Sequence, residues 1–296
     1  MSRAGIDITP RLEEQLRRLR IAGALSRRPR RHGERRSSAQ GQGVEFAERR
    51  PYQPGDDLRR LDHHAYVREG RLFVREYAVT QAMETALLLD VTRSMSGGRP
   101  RKIDLAKTVA FGLGYVALAA GDGFTLGLAG AAVEWSRRMQ GRGHLPALRE
   151  RLADVDADDG IDAWPPAWSA DAGPKPPPDV LFVVTDLMYE NVADLVRACL
   201  AIGDAVHVLH VVDPLEGRSE VPVGGLVELV DAETGGSVWR RVNRRTRAAL
   251  ASAHETWARE AARTVTSLGA AYHAVKTDAT PAEVFLEQFR VDGLLE

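Results

Sequence analysis

Three nearly continuous apolar runs restrict what this chain can fold into: Ala86-Leu87-Leu88-Leu89, Val180-Leu181-Phe182-Val183-Val184 and Ala205-Val206-His207-Val208-Leu209. Strands of this kind are buried on both faces, as in parallel sheets covered by helices on either side. Strands are expected at residues 85–90, 124–130, 132–138, 180–185, 205–212 and 270–276, and helices near 101–120, 144–153, 191–202, 245–267 and 280–289. The alternation predicts an α/β fold with a doubly wound, mostly parallel, Rossmann-like sheet. One departure is residues 223–242, which read as an inserted β-hairpin around Thr234-Gly235-Gly236.

Ahead of this body the leucines at 12, 16, 19 and 25, with Ile21, keep helical spacing over residues 10–25. The expected division is a basic N-terminal helix and flexible arm (1–42), a segment packed on the body (43–84), and the α/β domain (85–296) with a Pro- and Asp-rich loop at 154–179. Residues 1–36 hold 11 Arg and 4 acidic residues, a net +7, so the overall −1 leaves −8 on the rest. The arm has no interleaved aromatics to stack on bases, so nucleic acid is not expected as a partner.

With 44% hydrophobic residues, 296 residues can bury a sizeable core. The single cysteine, Cys199, lies in an apolar run and excludes an internal disulfide. No secretory signal is visible. The longest mostly apolar run, residues 108–121, is 14 residues long. That is short of a bilayer span, so a buried core helix is expected, with no transmembrane segment. A cytoplasmic location is expected on these grounds.

Two of the expected strands end in carboxylates, Asp90 and Asp186, and ligands of open parallel sheets gather at such strand ends. Asp90-Val91-Thr92-Arg93-Ser94-Met95 adds two hydroxyls at two-residue spacing. If the strands are neighbours, Asp90, Thr92, Ser94 and Asp186 meet at one point and offer the oxygen donors that suit Mg2+ or Mn2+. The competing reading makes Thr92 and Ser94 caps of the following helix, which needs no second aspartate.

The Asp-x-Thr-x-Ser run followed by Thr185-Asp186 resembles the metal-ion-dependent adhesion site (MIDAS) of von Willebrand factor A domains. The preceding Gly43, Val44, Glu45, Phe46, Arg49, Tyr52, Pro54, Gly55, Asp56, Asp57, Arg59, Asp62, Ala65, Arg68 and Leu72 are similar to the signature of the domain of unknown function 58 family. Asp213-Pro214, Pro222, Asp231, Glu233, Thr234 and Gly235 look like its later landmarks. The resemblance implies a von Willebrand A-like domain and a non-enzymatic protein-binding adaptor. It also implies a MoxR-type AAA+ ATPase or its substrate as partner, in assembly, maturation or stress response, with the ion bridging to a partner's carboxylate.

Two departures from the family pattern stand out. His63 follows Asp62 where the family usually has Trp, and residues 126–184 contain no threonine for the middle loop of the adhesion site. Either an Asp such as Asp159 or Asp162 substitutes, or the site is degenerate and binds metal weakly. Asp90→Ala is expected to weaken partner binding without unfolding the domain. The rival reading is a metal-dependent phosphoesterase using the Asp62-His63-His64 cluster, because histidine and carboxylate ligands support that chemistry. A phosphatase with Asp90 as nucleophile lacks its second carboxylate, since Thr92 holds that place.

Overall fold

A computed structural model describes residues 5–22, 44–54, 61–79, 82–157, 173–189, 191–216, 224–230 and 236–296. The chain divides into two compact units, residues 27–82 and residues 1–26 with 83–296. In the smaller unit, β1 (Val44–Pro51) pairs antiparallel with β2 (Phe73–Val79), and α2 (His63–Glu69) lies between them in the chain. Tyr52 N–H bonds Leu72 O at 2.9 Å and Asp62 N–H bonds Phe73 O at 2.8 Å, which closes the base of this hairpin. Residues 55–60 and the arm at 23–42 lie outside the described residues.

The larger unit is built on a mostly parallel sheet. Its strands are β3 (Glu84–Asp90), β4 (Gly123–Ala129), β5 (Val133–Trp135), β6 (Met139–Gln140), β7 (Val180–Thr185), β8 (Ala205–Val212) and β11 (Ala271–Lys276). The order is β11-β8-β7-β3-β4-β5, with β5 and β6 antiparallel to β4 and every other pair parallel. The chain leaves β3 for β4 on one side and later enters β7 on the other. Strand order therefore reverses at β3, beside the carboxyl ends of β3 and β7, the position at which open α/β sheets gather ligands.

Helices cover both faces. α3 (Lys102–Ala120), α4 (Leu145–Asp154) and α1 (Pro10–Leu16) pack with the π-helical turn Glu283–Gln288 and α7 (Phe289–Val291) on one side. On the other lie α5 (Val192–Ile202) and α6 (Arg244–Ser267). The hairpin of β9 (Leu226–Val230) and β10 (Ser237–Arg241) precedes α6.

α3 sits close to its neighbours because of two glycines. A Cβ on Gly112 would lie 2.1 Å from Phe285 Cζ, and one on Gly114 would lie 2.6 Å from Leu148 Cδ2. The helix is thereby buried along nearly its whole length, and its apolar residues join those of β3, β4 and β7 in one core.

Three expectations change in detail. The N-terminal helix ends at Leu16, because residues 20–22 turn extended and pair with the C-terminus through Arg20 N–H to Glu296 O (2.8 Å) and Ala22 N–H to Leu294 O (3.0 Å). This pairing, with Leu12 and Leu16 in the core, joins the N-terminal helix to the α/β unit. The strand expected at 132–138 is broken at Ser136, whose hydroxyl accepts the Leu126 N–H at 3.0 Å where a ladder carbonyl would stand. The helix expected at 280–289 is largely a π-helical turn.

Candidate functional site

Hydrophobic burial of β3 and β7 fixes their register, Thr85 opposite Val180 through Leu89 opposite Val184. Asp90 and Thr185 are carried side by side out of the core, and the Thr185 hydroxyl donates to Asp90 Oδ2 at 2.7 Å. Past Asp90 the chain folds back, so that Thr92 N–H and Oγ1 both donate to Asp90 Oδ1, at 2.9 and 2.7 Å. Thr92 Oγ1 lies 3.1 Å from Ser94 Oγ, and Ser94 Oγ donates to Asp186 Oδ1 at 3.2 Å. The four residues singled out in the sequence thus form one continuous chain of contacts. Thr92 precedes the short 3-10 turn Arg93–Ser96 but makes no side-chain cap bond to it, so the capping reading does not describe this residue.

A second turn aims the residues that follow β7. Leu187 is the one described non-glycine residue in the left-handed region, at φ 56°, and it is fully buried. Such a conformation costs about 1–2 kcal/mol for a side chain with a Cβ and is held by its surroundings. Here Leu187 N–H donates to Thr185 Oγ1 (3.0 Å), Met188 N–H to Asp186 Oδ1 (3.2 Å) and Tyr189 N–H to Leu187 O (2.7 Å). The turn brings the Tyr189 hydroxyl onto Asp90 Oδ2.

Asp90 therefore accepts four donors inside the fold and is itself completely buried. Burial, with Asp186 nearby, raises its pKa to about 6 against the opposing pull of the Tyr189, Thr185 and Thr92 hydrogen bonds. Burial and the facing Asp90 and Asp186 carboxylates hold the Tyr189 phenol well above its ordinary range. The expectation that Asp90→Ala would leave the domain intact is corrected by this burial. Removing the carboxylate orphans several buried donors, and each orphan costs about 1–3 kcal/mol.

Lys102, at the first position of α3, is a member of the cluster that the sequence reading missed. Its Nζ lies 2.6 Å from Asp186 Oδ2 and 2.6 Å from Glu216 Oε1. Burial disfavours the ammonium, but Asp186 and Glu216 outweigh it and leave its pKa raised. A signal was present. Only 4 of the 40 Lys and Arg residues are lysines, and two of them, Lys102 and Lys107, are buried. The other two are exposed, so lysine rarity narrows the choice without identifying Lys102.

His210 on β8 was also missed. It hydrogen-bonds the Asp186 main chain while its Nδ1 lies 2.7 Å from the Tyr272 hydroxyl. Burial lowers its pKa to about 4, so it stays neutral and braces the Asp186 turn from behind.

Whether the residues fit Mg2+ is decided by charge. The 3.1 Å between the Thr92 and Ser94 hydroxyls is compatible with one edge of an octahedron of oxygens at about 2.0–2.1 Å. However, the carboxylates whose charge would hold a dication are already compensated, Asp90 by four donors and Asp186 by an ammonium in direct contact. Among the described residues no group of three His, Cys, Asp or Glu side chains is placed to hold a metal. Asp159 and Asp162, expected to replace the missing threonine, lie outside the described residues. The described donors therefore do not fit a resident divalent ion.

In the Asp62-His63-His64 cluster, buried Asp62 accepts the Ala65 N–H at 3.2 Å at the start of α2. The side chains of His63 and His64 lie outside the described residues.

Comparison with known proteins places this geometry among relatives. The model of the family described as "Protein of unknown function DUF58" matches residues 48–260. The uncharacterized protein Rv1480 of Mycobacterium tuberculosis H37Rv and the uncharacterized protein Mb1516 of Mycobacterium bovis are each 29% identical over 286 residues, 94% of this chain and 88% of theirs. Among solved structures, the conserved hypothetical protein BatB from Bacteroides thetaiotaomicron has a TM-score of 0.40 at 15% identity, covering 71% of this chain and 98% of its own. An aerotolerance-related membrane protein from Bacteroides fragilis has a TM-score of 0.38 at 14% identity, covering 71% of this chain and 100% of its own.

The cytoplasmic placement expected from sequence is withdrawn. The length argument against a span fails, because α3 runs 19 residues where the apolar run gave 14. At 1.5 Å per residue such a helix is about 28 Å long, close to the hydrocarbon thickness of a bilayer. In this fold most of it is buried in the core.

Proposed function

This chain belongs to the DUF58 family, and from that premise we propose that it is a non-enzymatic interaction protein whose larger unit is a von Willebrand A-like domain. The observation that carries the reading is the meeting of Asp90, Thr92, Ser94 and Asp186 at the carboxyl ends of β3 and β7, where strand order reverses. Carboxyl ends of strands at such a switch point are where α/β sheets receive ligands. Among the described residues of the site, Asp90 is buried and saturated with hydrogen bonds, which suits recognition better than covalent chemistry.

The partner is a MoxR-type AAA+ ATPase or a protein on which such an ATPase acts, as the family resemblance implies. The experiment is a calorimetric titration of this chain with the purified MoxR-type ATPase of the same organism. Ser94→Ala is the site variant, because it removes one hydroxyl and leaves Asp90 satisfied. Saturable binding that Ser94→Ala weakens supports the reading. Binding that is absent, or indifferent to Ser94, refutes it.

A further inference from the structure

The cluster contains a cation and a carboxylate that an adhesion-type site would obtain from outside. Lys102 Nζ joins Asp186 on one side and Glu216 on the other, each at 2.6 Å. The two carboxylates differ in setting: the Asp186 side chain is 1% exposed and the Glu216 side chain 22%. Among Asp90, Thr92, Ser94, Lys102, Asp186 and Glu216, only Glu216 faces solvent to this degree. The turn that presents Glu216 is fastened to the loop before α3. Asp213 Oδ1 accepts Leu215 N–H at 2.9 Å, Asp213 Oδ2 accepts Arg99 N–H at 3.2 Å, and Glu216 N–H bonds Asp213 O at 2.9 Å.

A buried ion pair is costly to break, whereas a half-solvated one exchanges at little cost because its partner rehydrates. The Asp186 side of Lys102 is therefore permanent and the Glu216 side replaceable. We infer that Lys102 is the resident cation of this site and Glu216 an exchangeable internal carboxylate, so that the site receives a carboxylate side chain of a protein partner on the Lys102 ammonium without a divalent ion. The assignment of a partner's carboxylate rests on the interaction reading above. The assignment of the cation does not. Thr92 and Ser94 serve to hold Asp90 and Asp186 in place.

The test uses the full chain with two probes, Mn2+ followed by the electron paramagnetic resonance signal of the free ion, and a hexaglutamate peptide followed by calorimetry. Wild type is expected to leave millimolar Mn2+ free and to bind the peptide equally with or without EDTA. Glu216→Gln, which removes the internal competitor, is expected to bind the peptide about ten-fold more tightly. Lys102→Gln is expected to lose peptide binding. Wild-type binding of Mn2+, or peptide binding that EDTA abolishes, overturns the resident-cation assignment. Unchanged peptide affinity in Glu216→Gln overturns the exchange. Should Lys102→Gln fail to fold, the wild-type and Glu216→Gln measurements still decide both points. The ATPase titration fails or succeeds separately, so loss of the interaction reading is distinguishable from loss of this one.

Discussion

Replacing Lys102 by Met tests the electrostatic centre of the site. Met fills a similar volume but leaves the Asp186 carboxylate, 1% exposed, without its counter-charge. Breaking a buried pair by removing one member costs about 3–5 kcal/mol, because the remaining charge is uncompensated. Glu216, at 22% exposure, rehydrates and adds no more than about 1 kcal/mol. The double variant Lys102→Met/Asp186→Asn removes the orphaned charge while keeping an amide oxygen for Ser94 and the Met188 N–H. It is expected to recover about 2–3 kcal/mol of the loss. Urea unfolding followed by far-ultraviolet circular dichroism measures all four corners of the cycle. A single-variant loss below about 1 kcal/mol, or a double variant as unstable as the sum of the singles, would refute the claim that this pair is buried and coupled.

Acid stability should separate two buried groups with opposite signs. His210, lowered from 6.5 to about 4, contributes stability that is complete above pH 6.5 and lost as pH falls towards 4, about 3 kcal/mol over that window. Asp90, raised from 3.8 to about 6, does the reverse and regains a similar amount on acidification from pH 6 to 4. His210→Gln should therefore lose less stability than wild type between pH 7 and pH 5 in urea midpoints, and equal losses would contradict the buried neutral imidazole. Gly112→Ala should destabilise by about 1–3 kcal/mol, although alanine is the better helix former, because its methyl meets Phe285 Cζ at 2.1 Å. Phe285→Leu in the same chain should return part of that loss, and thermal unfolding of the wild type and both variants checks it.

Much of this arrangement is written in local pattern. Apolar runs such as residues 180–184 need two covered faces, so they identify parallel strands before any partner is known. Asp90, Thr92 and Ser94 are close in sequence, and a tight turn after a strand necessarily gathers them. Asp186 joined them because one buried strand ends in a carboxylate and another is followed at once by one. By contrast, Lys102 to Glu216 spans 114 residues, and Tyr189 to Asp90 spans 99. No periodicity foretells such pairs, because they depend on strand order and on the Leu187 turn. The same holds for residues 20–22, whose helical spacing yields to backbone pairing with the C-terminus. Sequence alone determined the layers and four oxygen-bearing residues, since burial is imposed by composition at short range. Tertiary structure decided which charges neutralise them, because an ion pair inside a fold is chosen by topology and by the desolvation that topology imposes.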